Sequence, residues 1–347
     1  MRMSTVLIGA ATLVASAFLT AIVRRLALAR GVLDHPNVRS SHAMATPRGG
    51  GLSIVVTVSV ALTVLTLTGT MAPELLWALL GGGGAVASVG LADDHRPVPA
   101  WIRLIVHVGA AVWAAAWLGG PTTLVLNHHV VHLGLIGLVL AVAGVTWVLN
   151  LFNFMDGIDG IAASEAVFVS GAALPLMALC GVSGEVSAAC LMIFAASLGF
   201  LLWNWPPASI FMGDVGSGYV GFVIGVLALA AARQSPAAVW VWLILGGVFF
   251  VDATVTLVRR AARGERIYDA HRSHGYQWLA RRWGSHRRVT VAVMMLNLIW
   301  LLPCAVLATL HPDHAVAIVV VALVPLVALA IAAGSGRREN NSKSAMM

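Results

Sequence analysis

The chain has 347 residues, of which 59% are hydrophobic and only 10% are charged. Soluble globular domains carry about 25% charged residues, and a water-soluble fold of this composition would have more apolar surface than it could bury. A cytosolic enzyme, a disordered chain and a secreted disulfide scaffold are therefore excluded. The net charge of +7 favours contact with anionic lipid over nucleic-acid binding, because basic loops are a general topology signal in membrane proteins.

About eleven apolar runs follow one another along the chain, each close to the roughly 20 residues that a membrane-spanning helix needs. They lie at residues 4–23, 51–70, 74–91, 101–119, 134–152, 161–180, 187–203, 217–232, 237–257, 289–309 and 315–333. The sequence therefore predicts an all-α, polytopic integral membrane protein with about 11 transmembrane helices.

The basic residues determine the expected orientation of these helices. With an outside N-terminus, every Lys and Arg except Arg2 and Arg233 falls in an inside loop or in the C-terminal tail. Cytoplasmic loops carry an excess of Lys and Arg, so these loops are predicted to be cytoplasmic. The charge of the first run mostly follows it, at Arg24 and Arg25, whereas a cleaved signal peptide carries its charge in front. We therefore expect a retained first helix.

Polar residues that are rare elsewhere lie at the inside ends of the runs. In the first inside loop, Arg39 and His42 precede a glycine-rich stretch, which is either a phosphate-binding loop or a simple turn. Asp93 and Asp94 end the third run, and two adjacent carboxylates repel each other unless a cation compensates them. Mg²⁺ or the nearby Arg103 would supply that charge, and a solvated loop that stops the helix is the alternative.

The most informative motif covers residues 150–160. Asn150, Asn153 and Asp156 recur every third residue, so they share one face if the helix persists there. Asp159 follows between two glycines that let the backbone turn or approach a ligand. So many amide and carboxylate groups at a membrane boundary are costly unless they bind something, which indicates a ligand site.

A second glycine-rich acidic segment follows the seventh run. It begins at Asn204, passes two prolines and reaches Asp214, which has glycines on both sides. Backbone N–H groups in such a segment converge on phosphate, while the carboxylate can hold a cation.

The largest inside loop spans residues 258–288 and is rich in arginine. Arg272 lies between His271 and His274, and arginine clusters bind phosphates through forked, charge-assisted hydrogen bonds. Anchoring to anionic lipid is the alternative for most of these arginines. A zinc site on the two histidines is not expected, because no cysteine or third nearby histidine completes it.

In this order, the five inside segments resemble those of the polyprenyl-phosphate N-acetylhexosamine-1-phosphate transferase family, which starts O-antigen, enterobacterial common antigen, teichoic acid and peptidoglycan lipid intermediates. The resemblance covers roughly residues 30–290 and is most specific in residues 150–160, Asp93-Asp94 and residues 211–217. It implies transfer of an (N-acetyl)amino-sugar 1-phosphate from a UDP-sugar to polyprenyl (undecaprenyl) phosphate. The products would be polyprenyl-diphosphate-sugar and UMP.

The resemblance also implies a role for each site residue. Asp214 and Asn153 are the expected ligands of Mg²⁺, with Mn²⁺ as an alternative. Asp93, Asp94 and Asp156 are the expected catalytic residues, the first two acting on the lipid phosphate or as a base. The expected substrate-binding residues, for the UDP-amino sugar or the lipid phosphate, are Arg39, His42, Arg103, Asn150, Asp159, Asn204, His271, Arg272 and His274.

One element departs from the family pattern. The family's His-x-His appears here as His274-Gly275-Tyr276, a form closer to the branch whose donors include 6-deoxy amino sugars. Tyr276 is expected either to contact such a donor through its neutral hydroxyl and aromatic face or to pack the loop.

The expected setting is the bacterial cytoplasmic (inner) membrane, with the active site facing the cytoplasm. Residues 1–335 would form one catalytic membrane domain and residues 336–347 a polar cytoplasmic tail. A homodimer is left open. A lipid-linked sugar transporter, the main alternative, would need acids within the spans, where only Glu165 and Asp252 lie. A non-catalytic family member is the second alternative, but every expected acid is present.

The orientation predicts which labelling reagents reach the large basic loop. A cysteine introduced by Ser285→Cys, in a Cys180→Ala background, should be protected from a membrane-impermeant maleimide in intact cells and labelled after permeabilisation. A cysteine in the outside loop, from His132→Cys, should react in both conditions. Labelling of position 285 in intact cells would contradict the orientation.

Overall fold

The computed structural model describes residues 2–34, 45–126, 129–266 and 271–338, and this part of the chain is almost entirely helical. The helices are α1 (Met3–Arg30), α2 (Leu52–Leu67), α3 (Pro73–His95), α4 (Ala100–Leu118), α5 (Leu135–Met155), α6 (Ile161–Leu179), α7 (Gly184–Asn204), α8 (Asp214–Gln234), α9 (Ala238–Leu245), α10 (Gly247–Ala261), α11 (Gly275–Trp283), α12 (His286–Leu296), α13 (Leu302–Leu310) and α14 (Ala315–Ala333). A π-helical turn at Asn297–Leu301 joins α12 to α13.

Two short antiparallel ribbons complete the described structure. Between α1 and α2, β1 (Leu33–Asp34) pairs with β2 (Thr46–Pro47). Between α4 and α5, β3 (Thr123–Leu126) and β4 (His129–His132) form a hairpin with Thr123 opposite His132.

Nine helical spans in the described residues are long and apolar enough to cross a membrane, and α12 to α13 count as one of them. The pair α9–α10 qualifies as a tenth span but is bent by 74° at its break. The remaining apolar helix, α2, has only 16 residues. The all-α, polytopic class is confirmed, and each predicted run coincides with one of these elements. The count of 11 is not established, because α2 is short and α9–α10 is broken.

Helix α8 is the centre of the bundle, since 94% of its most apolar stretch is buried inside the protein. It packs against α5 on one side and α3 on the other. Its buried side chains include aromatic and β-branched ones, among them Tyr219, Phe222 and Val223. Because the polar motifs lie at the end of α3, at the end of α5 and at the start of α8, this packing brings them together.

The glycine run at residues 81–84 is a close packing face at three of its four positions. A Cβ on Gly81 would overlap the Trp113 ring, one on Gly82 would overlap Phe222, and one on Gly83 would lie 2.8 Å from Tyr219. Gly84 is the exception, because nothing lies within 4 Å of its Cβ position. The run thus lets aromatic rings from α4 and α8 lie directly on α3.

Two turns further along α3, Gly90 sets the distance between α3 and the start of α8. A Cβ there would lie 2.5 Å from the backbone oxygen of Asp214 and 2.7 Å from the nitrogen of Val215. Gly90→Ala should therefore push the two helices apart, costing about 1–3 kcal/mol of stability. Gly84→Ala is the matched control and should be neutral or slightly stabilising. Thermal unfolding in detergent measures both, and equal unfolding temperatures would contradict the close contact.

Candidate active site

The end of α3 and the start of α8 are joined by a buried carboxylate. Asp94 accepts hydrogen bonds from the backbone N–H of Asp214 at 2.8 Å and of Val215 at 3.1 Å, and its side chain is only 2% exposed. The first N–H groups of a helix have no partner within the helix, and the helix dipole favours a negative charge there. Asp94 therefore caps α8 from another helix and fixes the position of Asp214.

Two arginines connect the carboxylates of α3 and α8. Arg48 contacts Asp94 through Nε at 2.8 Å and Asp214 through a terminal nitrogen at 2.9 Å. Arg103 contacts Asp93 at 2.7 Å and Asp214 at 3.2 Å. Each arginine thus bridges one member of the aspartate pair to Asp214. Burial alone would lower the pKa of Arg48, but the neighbouring carboxylates of Asp214 and Asp94 raise it.

Arg48 reaches this position because its loop pairs with the segment in front of α8. The N–H of Phe211 donates to the carbonyl of Pro47 at 2.8 Å, and the N–H of Gly50 donates back to Phe211 at 2.9 Å. The interpretation of this glycine-rich stretch as a simple turn is therefore incomplete, since the turn also aims a guanidinium group at two acids. The only sequence signal for Arg48 was its place beside the glycines.

Asp156 lies at the end of α5, where the helix stops at Met155. Its side chain is half-buried, and no hydrogen bond to its carboxylate occurs among the described residues. Burial, and after it the nearby Asp214 carboxylate, raise the pKa of Asp156 well above its ordinary value, although Arg48 acts in the opposite direction. Asp156 is thus the least compensated acid of the site.

The charges and donors of the site fit a divalent cation that is shared with a ligand. When all are ionised, the carboxylates of Asp93, Asp94, Asp156 and Asp214 exceed the two guanidinium groups by two charges. The amide nitrogen of Asn153 donates to the hydroxyl of Ser217 at 3.2 Å, so this bond does not use the side-chain oxygen of Asn153. No group of three or more acids, histidines or cysteines close enough to hold a metal occurs within the described ranges. Mg²⁺ typically combines one or two carboxylates with substrate phosphates, so the donor set suits it.

A cavity of about 680 Å³ lies between α4 and α5 and reaches these side chains. Its polar lining residues are Arg103, His107, Thr146, Asn150, Asn153 and Asp214. Its apolar lining residues include Leu104, Val108, Leu138, Val139 and Val142. Along α5 the lining runs from residue 138 to residue 154, which is about 24 Å of helix. The cavity therefore suits a molecule with a charged head and a long apolar chain.

Asn150 belongs to the wall of this cavity and is tied to α4. Its side-chain oxygen lies 3.2 Å from His107 Nδ1, and its amide nitrogen donates to the carbonyl of Thr146 at 2.7 Å. The predicted residues Arg103, Asn150 and Asn153 are thus brought to one cavity. Sequence analysis did not predict the cavity itself, because α4 and α5 read as ordinary apolar spans.

The loop after Asp156 is held by residues that were expected to bind substrate. Asp159 contacts His286 Nδ1 at 3.2 Å and accepts from the N–H of Ala208 at 3.1 Å. Asn204 accepts from the N–H of Gly160 at 3.1 Å and donates to the carbonyl of Ile210 at 2.9 Å. Both side chains therefore position the backbone around Asp156. His286 was missed, since a single histidine among arginines gave no signal.

The last predicted element, residues 271–276, is anchored by Asp252. This carboxylate accepts from the N–H of Gly275 at 2.8 Å, from the N–H of Tyr276 at 3.1 Å and from the hydroxyl of Ser335 at 2.7 Å. It caps α11 just as Asp94 caps α8. Asp252 entered the sequence analysis only as a potential transport acid, because its partners lie on other helices.

The side chains of this element lie mostly inside the protein. His274 is 2% exposed, and its ring stacks on Phe154 and Tyr276. Tyr276 is 3% exposed, and its hydroxyl donates to the carbonyl of Phe154 at 2.9 Å. This geometry supports the packing role of Tyr276 and not contact with a donor sugar. Burial, and then the charges of His274 and Arg260, lower the pKa of His271 to about 3, so it is neutral at pH 7.

Arg272, like Asp159, Asn204, His271 and His274, does not line the cavity between α4 and α5. Arg272 is half-buried near α11, where its carbonyl accepts from Arg281 at 2.9 Å. Arg39 and His42 lie outside the described residues.

Comparisons with known proteins agree with these features. Residues 76–232 match the family model described as glycosyl transferase family 4. The chain is 26% identical over 298 residues to a probable undecaprenyl-phosphate N-acetylglucosaminyl 1-phosphate transferase of Bacillus subtilis (strain 168), covering 83% of this chain and 81% of that protein. It is 27% identical over 322 residues to the decaprenyl-phosphate N-acetylglucosaminephosphotransferase of Mycolicibacterium smegmatis, covering 83% and 78%. The Mycobacterium tuberculosis (strain H37Rv) protein of the same name matches equally, with coverages of 83% and 79%.

The raised pKa of Asp156 predicts a stability cost that depends on pH. Aspartate in an unfolded chain titrates near pH 4. At pH 8 the poorly compensated charge of Asp156 therefore lowers the stability of the folded, cation-free protein. Asp156→Asn should therefore raise the unfolding temperature by about 2 °C or more at pH 8. The gain should shrink as the pH falls through the raised pKa, because wild-type Asp156 then becomes neutral as well. Asp313→Asn, at an exposed position between α13 and α14, is the control, and a gain of equal size at all pH values would refute the prediction.

Proposed function

Because this chain is a member of the polyprenyl-phosphate N-acetylhexosamine-1-phosphate transferases of glycosyl transferase family 4, we propose that it transfers N-acetylglucosamine 1-phosphate from UDP-N-acetylglucosamine to undecaprenyl phosphate. The products are undecaprenyl-diphosphate-N-acetylglucosamine and UMP. The observation that carries the proposal is the cavity between α4 and α5, whose lining extends about 24 Å along α5 and changes from apolar residues to a polar end at Arg103, Asn153 and Asp214.

In this proposal the lipid lies with its chain along α5 and its phosphate beside Arg103. A phosphate monoester has a second pKa near 6 and is largely ionised at pH 7, so it is already a nucleophile. One of its oxygens attacks the β-phosphorus of the UDP-sugar, the bond between the two phosphates breaks, and UMP leaves. No covalent intermediate on an aspartate is required. Arg103 orients the attacking phosphate, and Asp93 holds Arg103 through the 2.7 Å ion pair.

Two anionic phosphates must approach each other, so positioning and charge neutralisation dominate the catalysis. Arg48 and Arg103 supply positive charge from the protein. Asp214, Asn153 and Asp156 are the residues that would hold Mg²⁺ or Mn²⁺. When bound, the ion would neutralise charge on the diphosphate of the donor and on the departing UMP. Asp94 and Asp159 act indirectly, because they fix the backbone that carries Asp214 and Asp156.

The donor is proposed as N-acetylglucosamine because the relatives are named for that sugar. The expectation of a 6-deoxy donor depended on Tyr276, whose hydroxyl is used by the Phe154 carbonyl. The proposal places the reaction at the cytoplasmic face of the bacterial inner membrane, as the initiating step of O-antigen or another cell-envelope glycan. A multi-pass membrane protein suits this step, since a long-chain lipid stays in the bilayer and the polar chemistry must take place at its headgroup.

The transporter alternative has less support. Glu165 is buried and accepts from the side-chain amide of Asn297 at 2.6 Å, while Asp252 is used as the cap of α11. Neither acid lines the cavity between α4 and α5. Both acids that the sequence places within the spans therefore have structural partners.

The reaction class predicts the nucleotide product. Purified protein given UDP-N-acetylglucosamine, undecaprenyl phosphate and Mg²⁺ should release UMP and a lipid diphosphate, both measured by mass spectrometry. UMP should not form without the lipid phosphate or in excess EDTA. Asp214→Asn should lower turnover by about 100-fold or more, whereas the exposed Asp313→Asn should not. UDP as the product would assign the protein to a different class of glycosyltransferase, and rapid UMP release by Asp214→Asn would remove Asp214 from the site.

A further inference from the structure

The side chain of Asp214 accepts a hydrogen bond from each of two arginines. One carboxylate oxygen accepts from Arg48 at 2.9 Å and the other accepts from Arg103 at 3.2 Å. The Asp93 side chain also lies within hydrogen-bonding reach of this carboxylate. Both guanidinium groups lie where a cation bound to Asp214 would be, and their positive charge repels such an ion.

The other two acids of the cluster do not depend on the arginines in this way. If Arg48 moved away, Asp94 would keep its two bonds from the start of α8. If Arg103 moved away, Asp93 would keep the N–H of Val98. A cation could therefore replace the arginines at Asp214 while Asp93 and Asp94 each keep a hydrogen-bond donor.

The arginines are also accessible to an incoming anion. Their side chains are each 31% exposed, and Arg103 lines the cavity between α4 and α5. Arginine binds phosphate through two parallel charge-assisted hydrogen bonds, a geometry that competes well with a shared carboxylate. A phosphate in the cavity would thus draw the guanidinium groups away from Asp214.

We propose that Arg48 is a positioning residue that neutralises Asp214 in the ligand-free protein and hands it over to a divalent cation when a phosphate group arrives. This inference rests on the proposed function, which supplies the cation and the phosphates. It makes cation binding and phosphate binding mutually reinforcing, because coupling between two sites is reciprocal. It also means that the ligand-free protein has a weak cation site, although its carboxylates are already in place.

A purely structural Arg48 would behave differently. In that case the residue only fastens its loop to α8, and its removal loosens the protein without improving the cation site. The two roles are separated by measuring cation binding in the absence of any phosphate, a readout that does not depend on turnover.

The experiment measures Mn²⁺ binding to detergent-purified protein in phosphate-free buffer, from the electron paramagnetic resonance signal of free Mn²⁺. Arg48→Gln should bind Mn²⁺ about tenfold more tightly than wild type, because one positive charge next to Asp214 is gone. Arg96→Gln is the matched control. Arg96 is exposed near the aspartate pair and makes no ion pair among the described residues, so its removal should change the affinity less than about twofold. Arg48→Lys, which keeps the charge, should restore weak binding.

A second arm uses methyl phosphate, a weak chelator, as the anion. It should tighten Mn²⁺ binding to wild type several-fold and have little effect on Arg48→Gln, and thermal unfolding verifies that each variant is folded. Equal Mn²⁺ affinities of wild type and Arg48→Gln, or no effect of methyl phosphate on wild type, would overturn the inference. Wild type that releases UMP but fails these tests retains the proposed function and loses only the role of Arg48. If wild type passes these tests but releases no UMP, the role of Arg48 is retained and the proposed function is lost.

Discussion

The carboxylate of Asp94 at the first turn of α8 is the interaction on which the site depends. It joins two spans through bonds to backbone N–H groups, and it does so at the boundary of the bilayer, where a bare charge and a bare helix end are both costly. The bond requires α3 and α8 to approach closely, which Gly90 permits. From this junction follow the position of Asp214, the two arginine bridges and the polar end of the cavity.

The same physical solution recurs in the second half of the chain. Asp252 caps α11 through two backbone N–H groups and also ties down Ser335 after the last span. The acid Glu165 instead uses the amide of Asn297 on the π-helical turn. Most buried acids of this protein therefore stabilise its architecture. Asp156 stands apart, because it has no hydrogen-bonded partner among the described residues, and this exception marks the place where a ligand would supply the compensation.

Much of this could be predicted from the sequence, and the limit has a physical cause. Hydropathy located each helical element that the apolar runs predicted, because a span must cover the bilayer, and the position of the polar motifs at one end of these runs anticipated that Asp93, Asn153 and Asp214 lie close together. Periodicity and spacing cannot show which distant residues pair. The bridge from Arg48 to Asp214, the contact of His286 with Asp159 and the cap made by Asp252 all join segments that the sequence presents as unrelated. The structural roles of Asn204 and Tyr276 could not be predicted either. In the sequence, a polar side chain that bonds to the backbone cannot be distinguished from one that binds a ligand.

The separation along the chain of the groups that meet at Asp214 has a consequence for biogenesis. Asp94 lies 120 residues before Asp214, and Arg48 lies 166 residues before it. Membrane proteins are synthesised from the N-terminus at about 5–20 residues per second, so α3 waits for several seconds before its partner helix leaves the ribosome. During that interval α8 is not yet present for Asp94 to cap, and the aspartate pair must remain hydrated at the membrane surface. A nascent chain therefore cannot assemble this site until α8 has been inserted, and incomplete translation products are unable to hold a cation or phosphate there.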